Sequence, residues 1–416
     1  MKKYLVIICT ILISSIAFGQ TTWYEIPTGT NKKLNAIDFP SDNVGYIVGE
    51  DSTILKTING GQTWEALGMN GISITSFDDD FTDIDFIDEN IGFLVSGYSG
   101  TYKTTDGGQT WTLVTGQISN MCYPHTVYPL TETDYFIAGG GCFEGAVIDH
   151  FANNQWYYAN LSLNFWVINE TVVEMSFIDL NNGLAATRSE YILKTIDGGF
   201  NWDTISTGIS GELTSVVMVN DTLCYAGYDQ IGAGFGILKS VDGGLTWDED
   251  PSSATFFYPA YLSVHAAQNG DIYSGAVPSN FSGGLIFEST DITNWLYYNV
   301  DQPINDMTSY GSDITFGVGD SGYLVVNTPI AELGVKGVDL IEFNVYPNPV
   351  LNLLTIDNPN TEMMEVMILD ASGRILKEEL VMSGISTIDC SNLTSGMYFV
   401  KVKIGNEFGL KRIVKQ

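Results

Sequence analysis

The densest group of hard oxygen donors in the chain is SFDDDFTDIDFIDEN, residues 76 to 90, which gathers Asp78, Asp79, Asp80, Asp83, Asp85, Asp88 and Glu89. Carboxylates of this kind suit calcium, with Asp78, Asp80 and Asp83 as the candidate ligands. The stretch lacks the central glycine and distal Glu of a helix–loop–helix calcium loop, and Asp83 and Asp85 alternate with Ile84 and Phe86 as strand residues do. A solvated acidic strand start therefore stands beside the calcium reading. Cys122 and Cys142 form the next pair of interest, close enough in sequence to bridge in an oxidising compartment. Cys224 sits in TLCYAGY, an apolar strand pattern typical of a buried thiol. Glu144, Glu170 and Asp229 are acids in irregular segments, where a carboxylate pair could act on a glycosidic bond. Nothing in their spacing selects a pair, so no catalytic residue is assigned.

A short phrase with an Asp, two glycines and a Trp could also pass for a site. It occurs four times, as KTINGGQTW (56–64), KTTDGGQTW (103–111), KTIDGGFNW (194–202) and KSVDGGLTW (239–247). Copying argues for architecture. Asn59 stands where the other copies have Asp106, Asp197 and Asp242, an exchange that a hydrogen-bonding turn tolerates and a charge-requiring metal site does not.

The elements that position these residues follow from the period of tryptophan. Trp23, Trp64, Trp111, Trp156, Trp202, Trp247 and Trp295 are spaced by 41, 47, 45, 46, 45 and 48 residues, and Trp166 alone falls outside the series. A period of about 40–50 residues indicates a solenoid, a propeller or an array. Each unit reads as four short strands, for example LNAIDFP, NVGYIVG, STILKT and TWEAL, with the phrase joining the third to the fourth. The expected fold is all-β, a seven-bladed β-propeller over residues 20–330, followed by a small antiparallel β-sandwich. The seventh blade combines INDMTSY, DITFGVG and GYLVVN with a strand at 22–26, which leaves no free edge.

The phrase and its context, GYIVG…ILKTINGGQTW, resemble the Asp-box or BNR repeat, in particular the BNR propellers of photosystem II assembly factors. That resemblance implies the propeller fold and says little of activity. Sialidases carry Asp-boxes too, but they hold a carboxylate with three arginines, and Arg188 is the one arginine before residue 331.

Both ends look like export signals. Residues 1–19 have two lysines, an apolar run and a small-residue cleavage setting, as in a signal peptide. After a linker at 331–342, residues 343–416 contain VYPNPVLNLLTID, LDASGR and LTSGMYFVKV, and these closely resemble the type A sorting domain of the type IX secretion system of Bacteroidota. The resemblance implies the type IX machinery as a partner and a secreted or outer-membrane surface location. Residues 21–330 hold 38 acidic against 7 basic side chains, which disfavours nucleic acid and anionic membrane surfaces, and no later segment is apolar enough for membrane insertion.

Binding is expected on the rim opposite the Asp-box turns, where the repeat is least regular. The candidates are Phe143, Phe165, Trp166, Tyr228, Phe257 and Tyr258, with Glu144 and Glu170 beside them. The partner is then a protein or a glycan. The alternative is a glycoside hydrolase or lyase using the rim carboxylates.

Overall fold

The middle strand of a typical repeat, such as GYIVG (Gly45–Gly49) or GFLVS (Gly92–Ser96), is apolar at successive positions rather than alternating. Such a strand must be covered on both faces. A computed structural model describes residues 22–416 except 75–78, 117–120, 143–144, 162–170, 231–233, 251–262, 278–282, 291–293, 312–313, 331–332, 334–342, 359–362, 370–374, 395 and 405–406. It divides into two compact units, Met1–Ala331 and Glu332–Gln416.

Among the described residues, the first unit carries seven twisted antiparallel sheets. The first sheet runs Leu34–Asp38, Gly45–Gly49, Thr53–Thr57 and Glu65–Ala66 in spatial order, and five others repeat this meander. The fourth adds a short parallel strand, Asn160–Leu161. The last sheet is assembled from both ends: Ile304–Tyr310, Ile314–Gly319 and Leu324–Val326 are completed by Tyr24–Glu25, with Tyr24 opposite Val326. Ile26 N–H donates to Leu324 O at 2.9 Å and Thr28 Oγ1 to Gly322 O at 2.7 Å, so the closure is bonded beyond the two strand residues.

The leading strands of the sheets touch one another in a closed circuit, from Leu34–Asp38 through Phe81–Phe86, Met121–Thr131, Val172–Phe177, Glu212–Met218 and Ser263–Ala266 to Ile304–Tyr310, which meets Leu34–Asp38 again. The hydrophobic cores lie between consecutive sheets. One cluster joins Tyr46 of the first sheet to Phe86 and Trp111 of the second, with Tyr46 and Phe86 stacked at 3.7 Å. Another joins Phe136 of the third to Trp202 of the fourth. Between the last sheet and the first, Phe39 stacks on Phe316 and meets Trp64 edge-on.

The leading strand of the third sheet, Met121–Thr131, carries the proline-containing sequence MCYPHTVYPLT. Its two prolines cannot donate to a ladder. The register shifts at Pro124/Thr126 and Pro129/Thr131 accommodate them. The second unit packs a three-stranded sheet (Asn344–Tyr346, Leu353–Asn358, Gly384–Asp389) with a four-stranded one (Met364–Leu369, Ile375–Val381, Gly396–Ile404, Glu407–Lys415) around Leu354, Ile356, Val366, Val400 and Ile413.

Candidate functional site

The four Asp-box turns share one bonding scheme. The hydroxyls of Thr57, Thr104, Thr195 and Ser240 donate to the Oδ1 atoms of Asn59, Asp106, Asp197 and Asp242 at 2.8–3.0 Å. The same Oδ1 atoms accept the backbone N–H four residues on, from Thr63, Thr110, Asn201 and Thr246. The second oxygen of Asp106 and of Asp242 takes a threonine hydroxyl at 2.6 Å, whereas Asn59 donates its Nδ2 to Thr63 Oγ1. The Thr246 hydroxyl and backbone N–H hold the Asp242 carboxyl down to about 2. These side chains satisfy one another within each turn. The turn also staples neighbouring sheets. Gly199 has φ +81°, and a Cβ there would lie 2.3 Å from the Phe136 ring of the preceding sheet, which explains why the position is glycine.

A second set of carboxylates, not anticipated from the pattern, lies on the leading strands around the axis. Asp306 accepts Ile37 N–H of the next sheet at 2.9 Å, Asp38 accepts Phe86 N–H at 2.9 Å, and Glu174 accepts Val216 N–H at 3.0 Å. Asp83 takes Val127 N–H at 2.9 Å and the Thr126 hydroxyl at 2.7 Å. Each bond crosses from one sheet to the next. Burial raises all of them: Asp38 and Asp306 to about 7, with further push from Asp83, and Asp85 and Glu174 well above the usual carboxylate range. Three of these acids, Asp83, Glu174 and Asp306, follow register shifts in strands that otherwise alternate. An acid two positions after the first apolar residue, in FTDID, VVEMS and INDMT, was the available signal.

The described candidates for calcium, Asp80 and Asp83, are engaged elsewhere. Asp83 is turned to the third sheet, Asp80 accepts Asp51 N–H at 3.0 Å, and the neighbouring buried Asp79 binds the hydroxyls of Ser96 and Ser99. Asp78 lies outside the described residues. Among those described, no group of three or more His, Cys, Asp or Glu side chains is placed to hold a metal.

On the rim opposite the Asp-box turns, Cys122 and Cys142 form a disulfide with Cα atoms 5.1 Å apart, tying the start of one strand to the end of its neighbour. Replacing both by serine is expected to lower stability by about 2 kcal/mol, read as a lower urea midpoint at unchanged slope. An unchanged midpoint would mean that other contacts hold these strand ends. Beside the bridge, Tyr98 and Tyr123 are exposed and meet edge-to-face with centroids 6.3 Å apart. Tyr98, in the short GYSG connection of the second sheet, escaped the sequence reading because nothing local marks it.

Tyr228, expected on the rim, is buried between the fourth and fifth sheets and donates its hydroxyl to Glu249 at 3.0 Å, so it belongs to the core. Asp229 is half-buried, and burial raises its carboxyl. Phe143, Glu144, Phe165, Trp166, Glu170, Phe257 and Tyr258 lie outside the described residues.

Residues 344–416 match the family described as secretion system C-terminal sorting domain, and residues 16–71 match photosynthesis system II assembly factor YCF48. No curated protein matches the chain. Among solved structures, YCF48 bound to D1 peptide is 17% identical over 73% of this chain and 96% of its own, with a TM-score of 0.57. YCF48 from Cyanidioschyzon merolae is 19% identical over 73% and 98%, with a TM-score of 0.59. The extracellular domain of a hybrid two-component system from B. thetaiotaomicron is 11% identical over 95% of this chain and 59% of its own, with a TM-score of 0.53. These likenesses show the propeller fold. The chain thus combines a BNR-type propeller with a type IX sorting tail, which indicates a secreted or cell-surface protein and an interaction with the type IX secretion machinery.

Proposed function

We propose that this exported propeller is a non-catalytic binding module that holds a protein or glycan on the rim opposite its Asp-box turns. The exposed Tyr98–Tyr123 pair beside the Cys122–Cys142 bridge carries the reading. Two rigid amphipathic rings offer large contact area at low entropic cost. The bridge fixes the strand from which Tyr123 projects, so the surface is pre-organised. The acids around the axis, which could have suggested catalysis, are bonded to backbone N–H groups of neighbouring sheets. A similar propeller, YCF48, has been solved with a D1 peptide bound, which makes a peptide segment a reasonable first partner to test.

The experiment is a binding and turnover screen of the exported chain against polysaccharides and against peptides from surface proteins. Saturable binding without product, weakened at least about tenfold by Tyr98→Ala with Tyr123→Ala at unchanged thermal midpoint, is the expected result. Product release that disappears in an Asp229→Asn, Glu144→Gln or Glu170→Gln variant would replace this reading with a hydrolase or lyase.

A further inference from the structure

The third repeat has lost its Asp-box phrase, and the loss leaves a space. In the first sheet, strand Thr53–Thr57 returns at Glu65 through the full turn. In the third, Ala146–Ala152 returns at Gln155 through Asn153 and Asn154 alone, both at positive φ, a tight hairpin. Where the phrase is intact, its glycines fill the groove of the preceding sheet. Gly107 O accepts Lys56 Nζ at 2.8 Å, a Cβ on Gly108 would touch Leu67, and Gly243 O accepts Lys194 Nζ in the same manner.

Lys103 and Val114 hold the places of Lys56 and Leu67 in the second sheet. No glycine turn reaches them from the third. Lys103 Nζ instead donates to Glu132 O at 3.0 Å and pairs with its carboxylate at 3.2 Å. Between the sheets is a cavity of about 400 Å3. One wall is Tyr135, Phe151 and Trp156, whose rings pack at 5.0–5.7 Å. The other includes Lys103 and the hydroxyl-bearing Thr105 and Thr112.

We infer that this cavity binds a neutral sugar residue of a glycan chain. An aromatic wall packs against the C–H face of a pyranose, and threonine hydroxyls with an ammonium meet its hydroxyls. The Lys103 charge is balanced by Glu132, so the site does not call for an anionic ligand. This site is separate from the Tyr98–Tyr123 rim and goes beyond the function proposed above. Its origin is the missing turn: the sheet pair that lost its staple gained a binding volume.

The test titrates the exported chain with maltotetraose, xylotetraose and chitotetraose, following the Trp156 indole N–H, which donates to Thr115 O at 3.1 Å and gives an assignable NMR signal. At least one of the three should bind saturably and shift that signal. Thr112→Phe, which fills the cavity from an exposed position, should weaken it at least about tenfold with an unchanged thermal midpoint. The Tyr98→Ala, Tyr123→Ala pair should leave sugar affinity unchanged. The inference is overturned if none of the three sugars binds at millimolar concentration, if Thr112→Phe binds as the native chain does, or if an apolar tetrapeptide alone occupies the cavity.

Discussion

Trp202→Ala is expected to destabilise the propeller unit by about 3–5 kcal/mol, the loss typical of a large aromatic removed from a packed interior. Trp202 is 1% exposed, meets Phe136 of the preceding sheet and Phe177 of its own edge-on, and donates its indole N–H to Gly199 O at 3.0 Å. Removing it empties the space between two sheets and frees the Asp-box carbonyl in one step. Gly199→Ala should point the same way through the opposite fault, pushing a methyl group into the Phe136 ring. Urea unfolding followed by near-UV circular dichroism reads both. A loss below about 1 kcal/mol for Trp202→Ala would show that the sheets are held together by something other than these interfaces.

The second large effect is a gain of stability on mild acidification. Asp38 and Asp306 have carboxyls raised to about 7 in the folded protein, chiefly by burial, against 3.8 ordinarily. A raised group favours the folded state fully below its unfolded value and loses that contribution as pH climbs through the folded value. Between pH 8 and 5.5 each of the two should restore roughly 2 kcal/mol, and Asp85 and Glu174, raised in the same sense, add to it. Asp106 and Asp242 act oppositely. Their depressed carboxyls stabilise above the unfolded value, and that contribution is lost as pH falls toward about 2 for Asp242. The thermal midpoint should therefore peak near pH 4–5. Asp306→Asn keeps an acceptor for Ile37 N–H while removing the charge, so it should raise the midpoint at pH 8 and flatten the profile. A midpoint that falls steadily from pH 8 to 5 would refute the assignment.

What could be read from the chain without coordinates was whatever the repeat makes periodic. Trp64, Trp111, Trp202 and Trp247 each close a turn whose partners are local, so their spacing carried the architecture directly. The strand at Tyr24–Glu25 was legible for a related reason: three unpaired strands at the far end needed a fourth. The candidate binding surface was harder. Tyr98 and Tyr123 come from different repeats and meet through the arrangement of sheets, which no local pattern encodes. Tyr228 looked like a rim residue because it lies near irregular sequence, yet its strand carries it inward. Asp38 and Asp306 carry no local mark of their role, because the backbone N–H groups they accept belong to the next sheet of the closed circuit. The cavity beside Trp156 depends on the neighbouring sheet: VIDHFANNQW shows that the phrase is lost, but not which groove its glycines would have filled.

The strand at Tyr24–Glu25 also dictates when folding can finish. Thr28 and Gly322 bond across 294 positions of chain, and bringing such distant segments together costs on the order of 5 kcal/mol in entropy before any pairing rewards it. Intermediate sheets can form against their neighbours as they are synthesised, but the annulus latches only after its two ends meet. A molecule truncated ahead of Leu324 keeps both flanks unpaired, sticky to other strands and open to proteases, so the seam doubles as a check that synthesis has passed Val326.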